Sequence, residues 1–199
     1  MNIIWHGHSC FEITGKDGTI VFDPYQANSV PGLNSLKLKA NLVLCSHEHD
    51  DHNARNCVEV APKDFKVTCI ETYHDHHQGS HRGKNTIHIV DFEDLKVVHM
   101  GDIGCMMDDV SKLKNCDVLM IPIGGYYTID TKEALKYIER IQPRIVIPMH
   151  YRSHEFGYDV LSTNEEFIQQ SSSVTYVDDC LEVNKDTKKQ TVVFKKPRN

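Results

Sequence analysis

No stretch of this 199-residue sequence approaches the roughly 18 consecutive apolar residues that a membrane-spanning helix needs. Its opening, MNIIWHGHSC, lacks the basic residues and apolar run of a secretory signal, so a cytoplasmic location is expected. The seven cysteines (Cys10, Cys45, Cys57, Cys69, Cys105, Cys116 and Cys180) are odd in number and form no CxxC pair, which argues against a disulfide framework and a zinc ribbon. In a reducing compartment most of them are expected to be buried as small apolar side chains. Excess positive charge is missing too: 22 Lys and Arg face 28 Asp and Glu, a formal net charge of -6. That balance argues against a protein that coats nucleic acid or an anionic membrane, and neither is expected as a partner. A GxSxG nucleophile motif, internal repeats and low-complexity segments are likewise absent.

What is present is the composition of a globular protein, 40% apolar and 25% charged, at a length that suits a single domain over 1–199. Val, Ile and Leu come in short clusters separated by turn residues. Strands are expected over 2–5, 10–14 and 19–23, the last two joined through Gly15-Lys16-Asp17-Gly18, whose Asp-Gly favours a tight hairpin. A loop follows from 24 to about 39. Residues 41–45 are a short apolar run of the buried-strand kind, leading directly into His47-Glu-His-Asp-Asp-His52. Further strands are expected over 67–71, 85–90, 95–100, 117–123 and 144–149, and four of these five lead into polar or glycine-rich segments containing His or Asp. Ala134, Leu135, Ile138 and Ile141 recur at helical spacing behind Asp130 and Glu133, which are placed as a capping box, so a helix is expected over 130–141. A second helix over 164–170 and closing strands over 174–177 and 191–194 complete the expectation.

The chemistry concentrates in His47, His49, Asp51 and His52. Packing does not call for three imidazoles and a carboxylate within six residues, whereas metal binding does. Residues at i and i+2 of an extended loop point one way while those at i+4 and i+5 swing to a neighbouring point, so one short segment can serve two adjacent ions. His74, Asp102 and His150 each follow an expected strand, as ligands gathered at one sheet edge must.

The HxHxDH motif after an apolar strand resembles the metallo-β-lactamase superfamily. Gly7-His8-Ser9, Asp23-Pro24, His74-Asp75, Gly79 with Arg82-Gly83-Lys84-Asn85, Gly101-Asp102, Pro122-Ile123-Gly124-Gly125 with Thr128, and Pro148-Met149-His150 follow in order from about residue 3 to 152. They are similar to the branch of small metal-dependent hydrolases that includes L-ascorbate-6-phosphate lactonase-like proteins. The resemblance implies an α/β fold, an αββα four-layer sandwich of two mixed sheets with the metals at one edge. It also implies two divalent metal ions, Zn2+ first with Mn2+ or Fe2+ as alternatives. His47, His49 and His74 would hold one ion, Asp51, His52 and His150 the other, and Asp102 would bridge them; His76 and His77 compete with His74. Asp51, Asp102 and His150 are the expected catalytic group around a shared hydroxide, which would attack an ester, lactone or phosphoester bond.

Two divalent ions against Asp51, Asp102 and one hydroxide leave a local charge of about +1, which suits a small anionic substrate. Arg82, Lys84 and Arg152 are candidates to grip it or are ordinary surface cations, and Tyr127 (with Tyr126) either lines the pocket or packs at its rim. His8 is either a substrate contact or a neighbour of the ligands, Asp23 reads as support for them, and Asp50 and Asp75 as orienting or solvated groups. His88 and His99 are read as structural, and His154 as a surface residue. The short chain implies reduced covering loops, and a homo-oligomer in which a neighbouring subunit completes the site is one consistent arrangement. Two other function classes fit the pattern less well: a di-iron redox protein, whose HxExDH pattern has a carboxylate where this chain has His49, and a non-catalytic metal-binding protein, which would have a spoiled ligand position.

Overall fold

The computed structural model describes residues 1–198. In chain order its strands are β1 (Asn2–Gly7), β2 (Cys10–Gly15), β3 (Gly18–Phe22), β4 (Leu38–Ala40), β5 (Leu42–Leu44), β6 (Val58–Val60), β7 (Lys66–Tyr73), β8 (Lys84–Phe92), β9 (Leu95–His99), β10 (Val118–Pro122), β11 (Ile145–Met149), β12 (Val174–Val177), β13 (Cys180–Glu182) and β14 (Gln190–Phe194). Helix α1 (Thr131–Ile141) lies between β10 and β11, and α2 (Glu165–Gln170) precedes β12. One sheet runs β13-β1-β2-β3-β5 and the other β12-β14-β11-β10-β9-β8-β7.

Period-two alternation explains how the sheets face each other. On β2 and β3, Phe11, Ile13, Ile20 and Phe22 enter the main core, while Cys10 and Val21 point the other way into a second, smaller cluster. The central strands β10 and β11 do not alternate, because both their faces are covered and every residue is buried. Trp5 anchors the core near one sheet edge: its ring lies 5.9 Å from Tyr151 and 5.4 Å from Phe156, and its indole N–H donates to the His8 carbonyl at 3.1 Å.

The capping box at the start of α1 is formed as expected, with the Glu133 N–H donating to the Asp130 carboxylate at 2.9 Å and the Asp130 N–H to Glu133 at 3.2 Å. Leu135 and Ile138 are only partly buried; Tyr137 is the large side chain the helix sinks into the core, and its hydroxyl donates to the Cys105 carbonyl at 2.8 Å. The expected α/β sandwich is present, and its layer over the first sheet is thin. There the second cluster, with Tyr25, Val30, Ala40 and Val58, is closed by the 23–37 segment, the parallel pair β4-β6 and one 3-10 turn (Arg55–Cys57). The strands β4, β6 and β13 went unforeseen because three residues carry no measurable period.

The cysteines differ from the sequence expectation. Only Cys10 and Cys116 are fully buried, four are half-buried, and Cys69 is exposed on the edge strand β7. Among the described residues no helix is long and apolar enough to cross a membrane. Replacing the helix cap, Asp130→Ala, is expected to lower unfolding free energy by about 1 kcal/mol, measured by urea titration, because it removes the acceptor for an end N–H of α1.

Candidate metal centre

Strand direction decides where the chemistry gathers. In the first sheet β1 and β3 both pair antiparallel with β2, and β5 runs parallel to β3. In the second, β9, β10 and β11 are parallel, and β7 shares their direction through β8. The segments after the carboxyl ends of β1, β3, β5, β7, β9 and β11 supply His8, Asp23, His47 to His52, His74, Asp102 and His150 in turn.

Asp102, 1% exposed, sits at the middle of the cluster. Its Oδ2 lies 3.0 Å from His150 Nε2, 3.2 Å from His52 Nε2, 3.4 Å from His74 Nε2 and 4.0 Å from His47 Nε2. His47, His49 and His74 form one group of close donor atoms, and Asp51, His52, His150 and His8 another. All seven ligand residues expected from the sequence therefore meet. His74 is the histidine of its segment that reaches the cluster: His76 is exposed and pairs with Glu133 at 2.8 Å, and the exposed His77 stacks on His81.

The outer ring nitrogens of His52, His47 and His74 are tied down, whereas that of His150 is buried without a hydrogen-bond partner among the described residues. His52 Nδ1–H donates to Asp23 at 2.8 Å, His47 Nδ1–H to Ser46 Oγ at 2.9 Å, and His74 Nδ1–H to the Tyr127 carbonyl at 3.1 Å. Ser46 passes its own hydroxyl hydrogen to Asp23 at 2.6 Å. His47 and His74 thereby turn an Nε2 lone pair inward, the arrangement metal-binding histidines adopt, and His52 turns its Nε2 to the same point. Inside, His47 Nε2, His52 Nε2 and Asp102 Oδ1 are buried without a hydrogen-bond partner among the described residues, so these inward atoms fit a bound cation.

The electrostatics separate His52 from its neighbours. Burial holds the pKa of His47 down to about 3 and that of His8 to about 4, and lowers that of His74, so these rings are neutral. Burial alone would also lower His52, but Asp102, Asp51 and Asp23 hold it well above its ordinary value. Burial would raise the pKa of Asp102; its imidazole neighbours, His150 and His52 foremost, outweigh this and hold it well below the usual carboxylate range.

Among the candidate substrate residues, His8, Arg82 and Tyr127 come to the site. His8 is buried, its Nε2–H donating to Asp51 at 3.3 Å and its ring 4.1 Å from that of His150. Arg82 and Tyr127 line a cavity of about 250 Å³ together with His49, Asp51, His74, Asp102, His150 and Tyr158. Arg152 does not line it. The chain turns back after His150, so the Arg152 Nε–H donates to the Leu161 carbonyl at 2.7 Å and the residue lines a separate cavity. Lys84 points to solvent and pairs with Glu71 at 3.2 Å. His88 and His99 are buried within strands, with His99 stacked 5.0 Å from Phe22 and donating from Nε2 to the Ser9 carbonyl at 3.0 Å.

Four contributors carry no role that the sequence alone assigns. Tyr158 reaches Asp51 with its hydroxyl at 3.2 Å, and Asn85 Oδ1 accepts the Asp102 N–H at 2.8 Å. Gly104 packs on the backbone of His74, and Gly124 on the carbonyl of His150, so closely that a Cβ would overlap either one. Asn85 and Gly124 lie within the motifs that carry the family resemblance, whereas Tyr158 and Gly104 have no local signal. Alanine at Gly104 or Gly124 is therefore expected to reduce bound divalent metal, read by elemental analysis, in protein whose circular dichroism shows it still folded.

Comparison with known proteins agrees with this arrangement. Residues 2–150 match the family model of the β-lactamase superfamily domain. A UPF0173 metal-dependent hydrolase of Staphylothermus marinus is 30% identical over 216 residues, covering 85% of this chain and 90% of its own. A second, from Thermoplasma acidophilum, is 28% identical over 193 residues, covering 78% and 85%. A crystal structure from Thermotoga maritima, assigned to the Zn-dependent hydrolases of the metallo-β-lactamase superfamily, superposes with a TM-score of 0.78 at 27% identity over 97% of both chains. With a family match over most of its length, laid on two sheets whose carboxyl-terminal edge gathers the HxHxDH histidines, the chain belongs to the metallo-β-lactamase superfamily.

Proposed function

We propose that the protein is a hydrolase using two divalent metal ions, zinc first with manganese or iron as alternatives, to cleave an ester, lactone or phosphoester bond in a small anionic substrate. The observation that carries this reading is the convergence of four Nε2 atoms on Asp102 Oδ2, with unpartnered buried donor atoms beside it. The similarity to proteins named metal-dependent hydrolases supports it. His47, His49 and His74 would hold one ion, Asp51, His52 and His150 the other, and Asp102 both. When bound, such ions supply hydroxide near neutral pH and polarise the oxygen of the scissile bond.

The chain's own groups prepare the site. Asp23 orients His52 directly and His47 through Ser46, Tyr127 orients His74, and Tyr158 with His8 fixes Asp51. The 250 Å³ cavity suits a small molecule, and within that class a lactone or other cyclic ester stands first and a phosphodiester second, following the lactonase-like resemblance.

The test is metal content of protein purified without added metal or an affinity tag, followed by turnover of lactones and phosphodiesters. Two zinc or manganese per chain with turnover of one class is expected; two iron without hydrolysis would favour redox chemistry instead. His49→Ala and Asp102→Ala are each expected to lower bound metal and to reduce kcat by at least about a hundredfold. His88→Ala is expected to keep wild-type metal content, and metal loss from that variant while folded would overturn the assignment of ligands.

A further inference from the structure

Arg82 is the arginine whose guanidinium makes no hydrogen bond or ion pair among the described residues. Its recorded contacts are with two aromatic faces, 5.0 Å from the Tyr127 ring centre and 5.9 Å from that of Tyr126. An arginine stacked in this way keeps its N–H edge free for a planar anion. Its backbone is fixed. The 75–82 turn is wound around the Asp75 carboxylate, which accepts N–H groups from His77, Gly79, His81 and Arg82 at 2.7 to 3.1 Å.

Arg82 and Tyr127 also line a second cavity, of about 430 Å³, adjoining the metal pocket. Three carboxylates border this cavity, and each is already engaged. Asp75 is filled by the four N–H groups, Asp130 accepts the Glu133 N–H, and Glu133 accepts from the Asp130 N–H and faces His76 at 2.8 Å. The stacked rings of His77 and His81 add N–H donors on the same wall. Among the residues lining this cavity Arg82 is the one fixed positive charge, and its N–H edge is uncommitted.

We propose that Arg82, held over Tyr126 and Tyr127 by the Asp75-centred turn, is the specificity-determining anion subsite. It would bind a carboxylate or phosphate of the substrate while the scissile ester or lactone lies at the metal pocket and the rest of the molecule extends into the second cavity. This rests on the hydrolase reading of the same site, and it names the substrate class as an ester or lactone bearing an anionic group remote from the bond that is cut.

The experiment uses zinc-loaded protein and two esters with the same leaving group, mono-4-nitrophenyl adipate and its methyl ester, which differ by one negative charge. Wild-type protein is expected to prefer the anionic ester in kcat/KM by about tenfold or more, and Arg82→Met to remove that preference through KM, with zinc content unchanged. Arg82→Lys should recover part of it, since charge returns without the planar fork. Calorimetric binding of adipate and of inorganic phosphate provides a readout that needs no turnover, and Arg82→Met is expected to weaken at least one of them about tenfold. Retention by Arg82→Met of both the ester preference and the anion affinities would overturn the subsite. Failure of wild-type protein to cleave either ester would instead count against carboxyl-ester hydrolysis, and the calorimetry would still decide the role of Arg82.

Discussion

The buried carboxylate of Asp102 is the interaction on which the whole sheet edge depends. An ionised carboxylate removed from water is costly unless charge or hydrogen bonds surround it. Here His150 after β11 and His52 after β5 offset the burial, while His47 after β5 and His74 after β7 close the shell around the carboxylate. Two sheets must therefore deliver their strand ends to one point. Asn85, buried on β8, fixes the Asp102 backbone N–H while its side-chain amide donates to the Met100 carbonyl, so the carboxylate is set by the sheet rather than by its own loop.

Around this centre, acceptors outside the cluster hold Nδ1 of His47, His52 and His74 and leave their Nε2 facing inward. Asp23 governs two of the rings, because His52 and Ser46 share its carboxylate. The geometry carries backbone strain: His8, Asp23 and His150 all have positive φ, at 52°, 43° and 54°. Such non-glycine conformations cost on the order of 1 kcal/mol or more each and persist where their surroundings over-determine them. The surroundings here are specific: the His8 carbonyl accepts from the Trp5 indole, tying its strained backbone to the aromatic core.

The candidate ligand segments are legible in the sequence because their information is local. HxHxDH behind an apolar strand is dense enough to read, and the strands before His74, Asp102 and His150 announce themselves as apolar clusters. The helix α1 was legible through its cap, although Tyr137 rather than Leu135 or Ile138 fills the core. Three-residue strands carry no period, and their pairing is a tertiary fact. Arg82, Lys84 and Arg152 looked equivalent for the same reason: sequence gives a cation beside a ligand segment, and only the return path of the chain shows that Lys84 meets Glu71 and Arg152 meets the Leu161 carbonyl.

A division of labour follows from where each residue is held. The inner donor atoms stand at or just beyond strand ends, where ladder hydrogen bonds limit movement, whereas Arg82, Tyr127 and Tyr158, which line the cavity with them, stand on the β7–β8, β10–α1 and β11–α2 connections. Loops would ordinarily make that wall adaptable. This one is stiffened, because Asp75 fills the first connection with backbone hydrogen bonds, and the Tyr127 carbonyl on the second holds His74 while its ring carries Arg82. A change in the 124–128 segment is thus felt at a metal-ligand candidate and at the cavity wall together. Within that segment the cavity wall and the His74 orientation cannot vary independently, except at residues such as Tyr126, which is 65% exposed and whose contacts stay on the wall.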